Sequence, residues 1–199
     1  MNWFTKIFKT KPISQLNIDF FDAHKAFASG EAIWNDLVLS RVSQEDKETK
    51  INEALKLFDI AIEKGYDEAN VYITRGMCLY DLKFYFDALE DYNRGIDRKP
   101  NNGIANNYYY RSMIKYFILD FDGSLADIKE AIYLSKLDNE DNKWWNNHAK
   151  TLGFNTQTEL YELDKETAER KLDREKRAPR DKETELKTIK RRTMIDTIL

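Results

Sequence analysis

Two histidines and one cysteine are the side chains of this chain best suited to metal or nucleophilic chemistry, and their placement offers none. His24, Cys78 and His148 share no metal-ligand spacing. The chain carries no G-x-S-x-G, no glycine-rich phosphate loop and no H-E-x-x-H. Its many carboxylates lie along helix-forming segments, where a solvated face is the plain reading; acid–base catalysis needs two of them converging in one pocket. The sequence therefore predicts no enzyme, no metal and no cofactor. What it holds instead is contact chemistry. Tyrosine and methionine give adaptable apolar contact, and tyrosine adds a polar handle.

The elements that would position such residues follow from composition. A length of 199 residues bounds the chain to one domain or at most two. Hydrophobic residues make up 42% and aromatics 13%, enough for a packed core. Seven glycines and three prolines suit long helices with short turns and argue against a β-sandwich. A net charge of -3 gives no global attraction to nucleic acid or acidic membranes. A single cysteine excludes an intramolecular disulfide. No apolar run approaches the roughly 18 residues that span a bilayer, and the start, MNWFTKIFKTK, lacks a secretory h-region and a small-residue cleavage site. These features predict a soluble cytoplasmic chain.

The most informative stretch is Ala69 to Asn102, which reads as two amphipathic helices and a turn. Tyr72, Gly76 and Leu79 share one face of the first helix; Ala88, Tyr92 and Gly95 share one face of the second, and Pro100 stops the unit. The small residues predict a close helix crossing, with Ala88 facing Gly76. This stretch resembles the tetratricopeptide repeat, whose W-x2-L-G-x2-Y…A-x3-F…P pattern has a period of 34. The pattern stands here as Tyr72, Arg75, Gly76, Leu79, Ala88, Tyr92 and Pro100; Arg75 replaces the usual Leu and Leu79 the usual Tyr. A step back of 34 carries Ala88, Tyr92, Gly95 and Ile96 to Ala54, Phe58, Ala61 and Ile62. A step forward of 36 carries Tyr72, Gly76, Ala88, Tyr92 and Gly95 to Tyr108, Ser112, Ser124, Ile128 and Ala131, and a second takes Tyr108 to Trp144.

The expected fold is thus all-α, a right-handed superhelical solenoid of helix pairs with a charged C-terminal helical extension. Residues 1–14 form an N-terminal tail, 15–163 the repeat domain and 164–199 the extension, with repeats at about 15–64, 69–102, 105–138 and 144–163. Trp3, Phe4, Ile7 and Phe8 with three lysines make 1–12 either a membrane-surface anchor or, as favoured here, a cap on the first helix pair. In the first helix, Leu16 to Ser40, the residues Phe20, Ala23, Phe27, Gly30, Trp34 and Leu37 form one buried stripe, and Gly30 marks a bend or close crossing. Ser40 to Lys50 reads as a polar loop or frayed turn, with Ser43 and Asp46 as a cap. The next helix runs to about Lys64, where Gly65 ends it. Helices follow at about Ala105–Leu119 and Asp122–Ser135, with Asp122 as cap, then a polar turn at Leu137–Lys143. Trp144–Leu152 opens a fourth unit, and Thr156 or Thr158 begins the last long helix, whose Leu160, Tyr161 and Leu163 are expected to pack on the solenoid. From Asp164 to Arg192 nearly every position is charged or polar, so the extension is expected to project to about Arg177 and to be mobile or partner-ordered after Pro179.

The family resemblance implies a concave groove lined by the first helix of each pair, which holds a peptide or helix of another protein. The register set at Gly76 then gives Asn70, Ile73, Met77, Tyr80 and Asp81 as groove-facing in the central repeat, and Asn106, Tyr109, Tyr110, Met113, Tyr116 and Phe117 in the next. The family's carboxylate-binding groove uses Lys, Arg and Asn; the basic residues are missing at these positions, so that activity does not carry over. The competing reading packs these rings against the fourth unit or the C-terminal helix. The expected role is a non-catalytic protein-interaction adaptor or scaffold. The alternative is a nucleic-acid or membrane-surface accessory acting through Lys187, Lys190, Arg191 and Arg192 or through the N-terminal segment. Interleaved acids and missing base-stacking aromatics argue against nucleic acid. The partner and the oligomeric state stay open.

Overall fold

Helix periodicity and local caps set the element order. In the computed structural model, the described residues are 13–39, 43–100, 103–137, 146, 149–178 and 181–198. The expectations for 1–12, for the turn at Leu137–Lys143 beyond its first residue, and for Trp144, His148 and Pro179 lie outside them. The helices are α1 (Ile13–Leu39), α2 (Gln44–Glu63), α3 (Ala69–Asp81), α4 (Tyr85–Asp97), α5 (Ile104–Phe117), α6 (Phe121–Leu137), α7 (Gln157–Arg177) and α8 (Lys182–Ile198). Residues 146 and 149–151 are helical as well. Among the described residues there is no strand. The chain divides into two compact units, Met1–Val71 and Tyr72–Leu199.

In the first unit α1 packs on α2. Ala23, Phe27, Gly30 and Leu37 of the expected stripe are buried, while Trp34 is only half-buried. Gly30 is the close crossing: a Cβ there would lie 2.7 Å from the ring of Phe58. Phe27 stacks on Tyr66 at 4.7 Å, and His24 meets the same ring edge-on, so this histidine is a packing residue. α2 begins at Gln44, earlier than the polar 44–50 stretch suggested. Ser43 Oγ accepts from the Asp46 amide at 3.1 Å, Glu45 and Asp46 complement the helix dipole, and Gln44 donates to Glu48 at 2.8 Å. Gly65, at φ +97°, ends α2, with the Tyr66 amide reaching back to the Ala61 carbonyl at 2.9 Å.

In the second unit α3 and α5 end in the same way without glycine. Lys83 and Leu119 hold φ of 64° and 67°, and the next amides, Phe84 and Asp120, donate to the carbonyls of Leu79 and Lys115 at 2.8 Å. Asp120, rather than Asp122, caps α6: its carboxylate accepts from the Gly123 amide at 3.0 Å. Asp122 lies within the first turn, where it favours the helix dipole. α4 packs on α5, α5 on α6 and α6 on α7. The core joining α3, α4 and α5 is Ile73, Ala88, Tyr92 and Ile114. The side chains nearest to Gly76 are Tyr92 and Asp91, with a Cβ position 3.0 Å from the Tyr92 ring. The large aromatic thus fills the space that the missing side chain leaves.

The two departures from the repeat pattern have different fates. Leu79 packs at the edge of this core. Arg75 forms a two-pronged ion pair with Asp91: Nε donates to Oδ2 at 2.7 Å and Nη2 to Oδ1 at 2.6 Å. One step of 36 later the pair recurs, with Arg111 Nε and Nη2 donating to Asp127 at 2.7 Å each. The carboxylates are 3% and 6% exposed. Each pair ties the first helix of a repeat to its second. Arg111 also donates to Asn93 of α4 at 3.0 Å, which joins neighbouring repeats, and Lys115 adds a second cation to Asp127 at 2.8 Å.

The C-terminal extension is packed rather than projecting. Thr156 caps α7 by accepting from the Glu159 amide at 3.2 Å. Tyr161, Ala168, Leu172 and Glu175 of α7 are buried, and Tyr161 shares a core with Ile128, Ala131 and Ile132 of α6. The four-residue spacing of Ala168 and Leu172 suffices because Tyr161 extends the stripe toward α6. After Pro179 the chain forms α8, where the mobile or partner-ordered segment was expected. Lys182 Nζ sits 5.9 Å from the Phe121 ring and Lys190 Nζ 4.7 Å from that of Phe86. Cation–ring contact supplies part of what the sparse apolar residues of this segment do not.

Two stability outcomes follow. Gly76→Ala pushes a methyl against the sealed Tyr92 ring; overpacking of about 1–3 kcal/mol outweighs a helix-propensity gain of roughly 0.5–1 kcal/mol. Thermal melting of the variant is expected to fall, and an unchanged midpoint would contradict the crossing. Arg75→Leu restores the commoner repeat residue yet leaves Asp91 buried and unpaired, which costs about 3–5 kcal/mol. The double variant Arg75→Leu/Asp91→Leu is expected to regain most of that loss in denaturant unfolding.

Candidate partner-binding face

Helix register puts residues four apart on one face, so Ile73, Met77 and Tyr80 of α3 and Asn106, Tyr109, Tyr110 and Met113 of α5 occupy one side of the repeats. Ile73 is 8% exposed and belongs to the α3–α4–α5 core. Asn70 lies in the first unit; it is exposed and donates to the Tyr66 hydroxyl at 3.2 Å. Met77, Tyr80, Asp81, Tyr110, Met113 and Tyr116 are half-buried, and Phe117 is exposed. Tyr80 meets Tyr110 and Phe117 with ring centres 6.1 Å apart, and Phe117 stacks on Tyr85 at 4.8 Å. These rings make one aromatic surface across α3, α4 and α5. Tyr116 turns toward Phe121 at the start of α6, 5.4 Å away and edge-on.

Five of the expected residues come together in a pocket of about 120 Å³: Tyr80, Asn106, Tyr109, Tyr110 and Met113. The opposite wall is Ala149, Leu152, Gln157, Leu160 and Tyr161. The face is therefore half-covered by the chain itself. Tyr109 stacks on the sealed Tyr161 ring at 4.3 Å and donates to Asp164 Oδ2 at 2.8 Å. Asn106, 3% exposed, has its side-chain oxygen within 3.4 Å of the Tyr161 hydroxyl and 3.5 Å of Gln157 Nε2. Leu160 and Tyr161 were legible as packing residues. Ala149, Leu152 and Gln157 were not, and their one signal is a three-residue Ala–Leu spacing just before Gly153.

The electrostatics favour neutral, apolar contact. None of the residues lining the pocket carries a formal charge. Burial, followed by the Asp164 carboxylate and its hydrogen bond, pushes the Tyr109 hydroxyl far above the usual range; burial does the same for Tyr80 and Tyr161. These tyrosines stay neutral donors. Burial also raises the Asp164 carboxyl, with the Tyr109 hydrogen bond opposing it. The Cys78 thiol, fully buried and raised by burial, is an unreactive core group. Two buried polar atoms have no hydrogen-bond partner among the described residues, Tyr92 Oη and Gln157 Oε1. Among those residues no cluster of His, Cys, Asp or Glu could hold a metal ion, and no helix is long and apolar enough to cross a membrane.

No family model matches the chain, and no curated protein matches it. Solved structures do. The crystal structure of PcrH in complex with the chaperone binding region of PopD is 16% identical, with a TM-score of 0.54, covering 74% of this chain and 91% of that one. The Arabidopsis OM64 TPR domain is 17% identical, with a TM-score of 0.44, covering 58% of this chain and 89% of that one. Identities this low speak of fold alone. Together with the repeated motif and the helix pairs, the PcrH likeness makes this chain an all-α helical repeat of tetratricopeptide type.

The Tyr109–Asp164 hydrogen bond holds α7 to α5. Tyr109→Phe is expected to cost about 1 kcal/mol, and Asp164→Asn in the same background little more, since both changes act on one bond. Fully additive losses in urea unfolding would show that the two groups act separately.

Proposed function

We propose that the face formed by α3 and α5 is a non-catalytic binding site for a segment of another protein. The observation that carries this reading is the uncharged pocket among Tyr80, Tyr110 and Met113, continuous with the aromatic surface of Tyr85 and Phe117. Packing apolar groups there contributes about 25 cal/mol per Å². The PcrH structure supports the reading, because that similarly folded protein is seen with a bound region of PopD. The segment is extended or helical, anchors by an apolar side chain and carries a neutral or basic flank. That flank suits Asp81 and Asp164, whose charges both act on the Tyr80 hydroxyl. Asp81 sets specificity at the edge, and Ile73, Asn106 and Tyr109 support the face from beneath. With one buried cysteine and no disulfide, the chain acts in the cytoplasm in this reading.

A photo-crosslinking amino acid in place of Met113 tests the site. In the cell that makes the chain it is expected to form a discrete adduct with another polypeptide. The same group in place of Lys129, exposed on α6, is expected to form none. Equal adducts at both positions, or none at Met113, would overturn the reading.

A further inference from the structure

Part of the wall opposite the proposed site is a helical turn that precedes α7. Ala149 is 1% exposed and lines the pocket that Tyr80, Tyr110 and Met113 share. Leu152, one helical turn on, lines the same pocket while remaining 54% exposed. The turn closes immediately afterwards: Gly153, at φ +90°, lets the Phe154 amide donate to the Ala149 carbonyl at 3.0 Å. Asn146 Oδ1 then accepts from the Gln157 amide at 2.8 Å, which fixes the turn to the start of α7. A small residue and a leucine three apart are presented by a helical turn on one side. That is the geometry of a helical ligand in a groove, supplied here from within the chain.

We propose that this turn is an internal stand-in for the partner. The site takes a short helical turn bearing a small apolar residue and a leucine one turn later, and the chain's own Ala149–Leu152 turn leaves before the partner's enters. The proposal rests on the reading of the α3–α5 face as the partner site. One feature of the turn suits a replaceable ligand: half of its leucine faces water, so that side chain adds little apolar burial to hold it. The pocket it leaves is not otherwise satisfied: Gln157 Oε1, on its wall, is buried without a partner and offers an acceptor to an incoming amide or hydroxyl. A face occupied by its own segment binds in trans more weakly by the fraction of molecules in which that segment is displaced.

The probe is a fluorophore-labelled synthetic peptide of residues 144–156 of this chain, added to the full chain. Ala149→Glu puts a carboxylate into the uncharged pocket and expels the internal turn. This variant is expected to bind the peptide about tenfold or more tightly than the unaltered chain, as removal of an occupied state requires. A peptide carrying Ala149→Glu itself is expected not to bind. Leu152→Glu, at a half-exposed position, serves as the second variant should Ala149→Glu melt early. Equal peptide affinity for variant and unaltered chain overturns the proposal. So does equal binding of the two peptides, or no binding to a variant that keeps its melting temperature. The Met113 crosslink separates this from a failure of the site itself. An adduct whose yield Ala149→Glu leaves unchanged defeats the stand-in alone, whereas no adduct in either protein defeats the site.

Discussion

Two carboxylates almost sealed from water, Asp91 and Asp127, set the terms for the second unit. Each is held by both prongs of a guanidinium from the preceding helix, Arg75 or Arg111. Such a pair adds little net stability over an apolar isostere, but breaking it leaves a buried charge, so it enforces one alignment of the two helices. The alignment fixes where Gly76 meets Tyr92, and hence how the α3–α4–α5 core closes. The pair at Arg111 reaches further, to Asn93, so the register passes from one repeat to the next. The first-helix residues of the proposed partner face inherit their positions from this alignment.

That face is neither the open groove nor the closed core that the sequence allowed as alternatives. Tyr109 and Asn106 are covered by α7, as the core reading has it. Tyr80, Tyr110 and Met113 border a pocket, and Phe117 stays exposed. The division has a physical cause. α7 brings Tyr161, a flat ring, onto Tyr109, and the stack seals that end. The turn before α7 brings only Ala149 and Leu152, which are too small to fill the space beside Tyr80 and Met113. A small residue at the contact leaves volume, and the volume is the candidate site.

Most of the fold was legible because its signals are local. Aromatic and small residues recurring at steps of 34 and 36 mark helix pairs, and Ser43, Gly65 and Thr156 mark helix ends by their capping chemistry. What stayed hidden depends on residues distant in sequence. Arg75 read as a flaw in the repeat, although its recurrence as Arg111, with Asp91 recurring as Asp127, was present in the same step of 36. Gly76 read as the partner of Ala88 because small residues were paired with small; the close approach of Tyr92 to the same glycine was not legible. The part of α7 beyond Leu163, and α8 with it, read as solvated because charge dominates their composition. Yet Ala168, Leu172 and Glu175 bury one face of α7 in line with Tyr161, and two lysines of α8 lie over aromatic rings. Composition averages over a helix, while packing needs only one face of it.

The central claim is that the side of the repeats around Met77 and Met113 is where another protein binds. Methyl NMR of the full chain labelled at its methionines reads that side directly. Titration with the polypeptide recovered by crosslinking should shift the Met113 and Met77 methyl signals together, with a common binding curve. Saturable binding of that polypeptide with both signals unmoved would contradict the account.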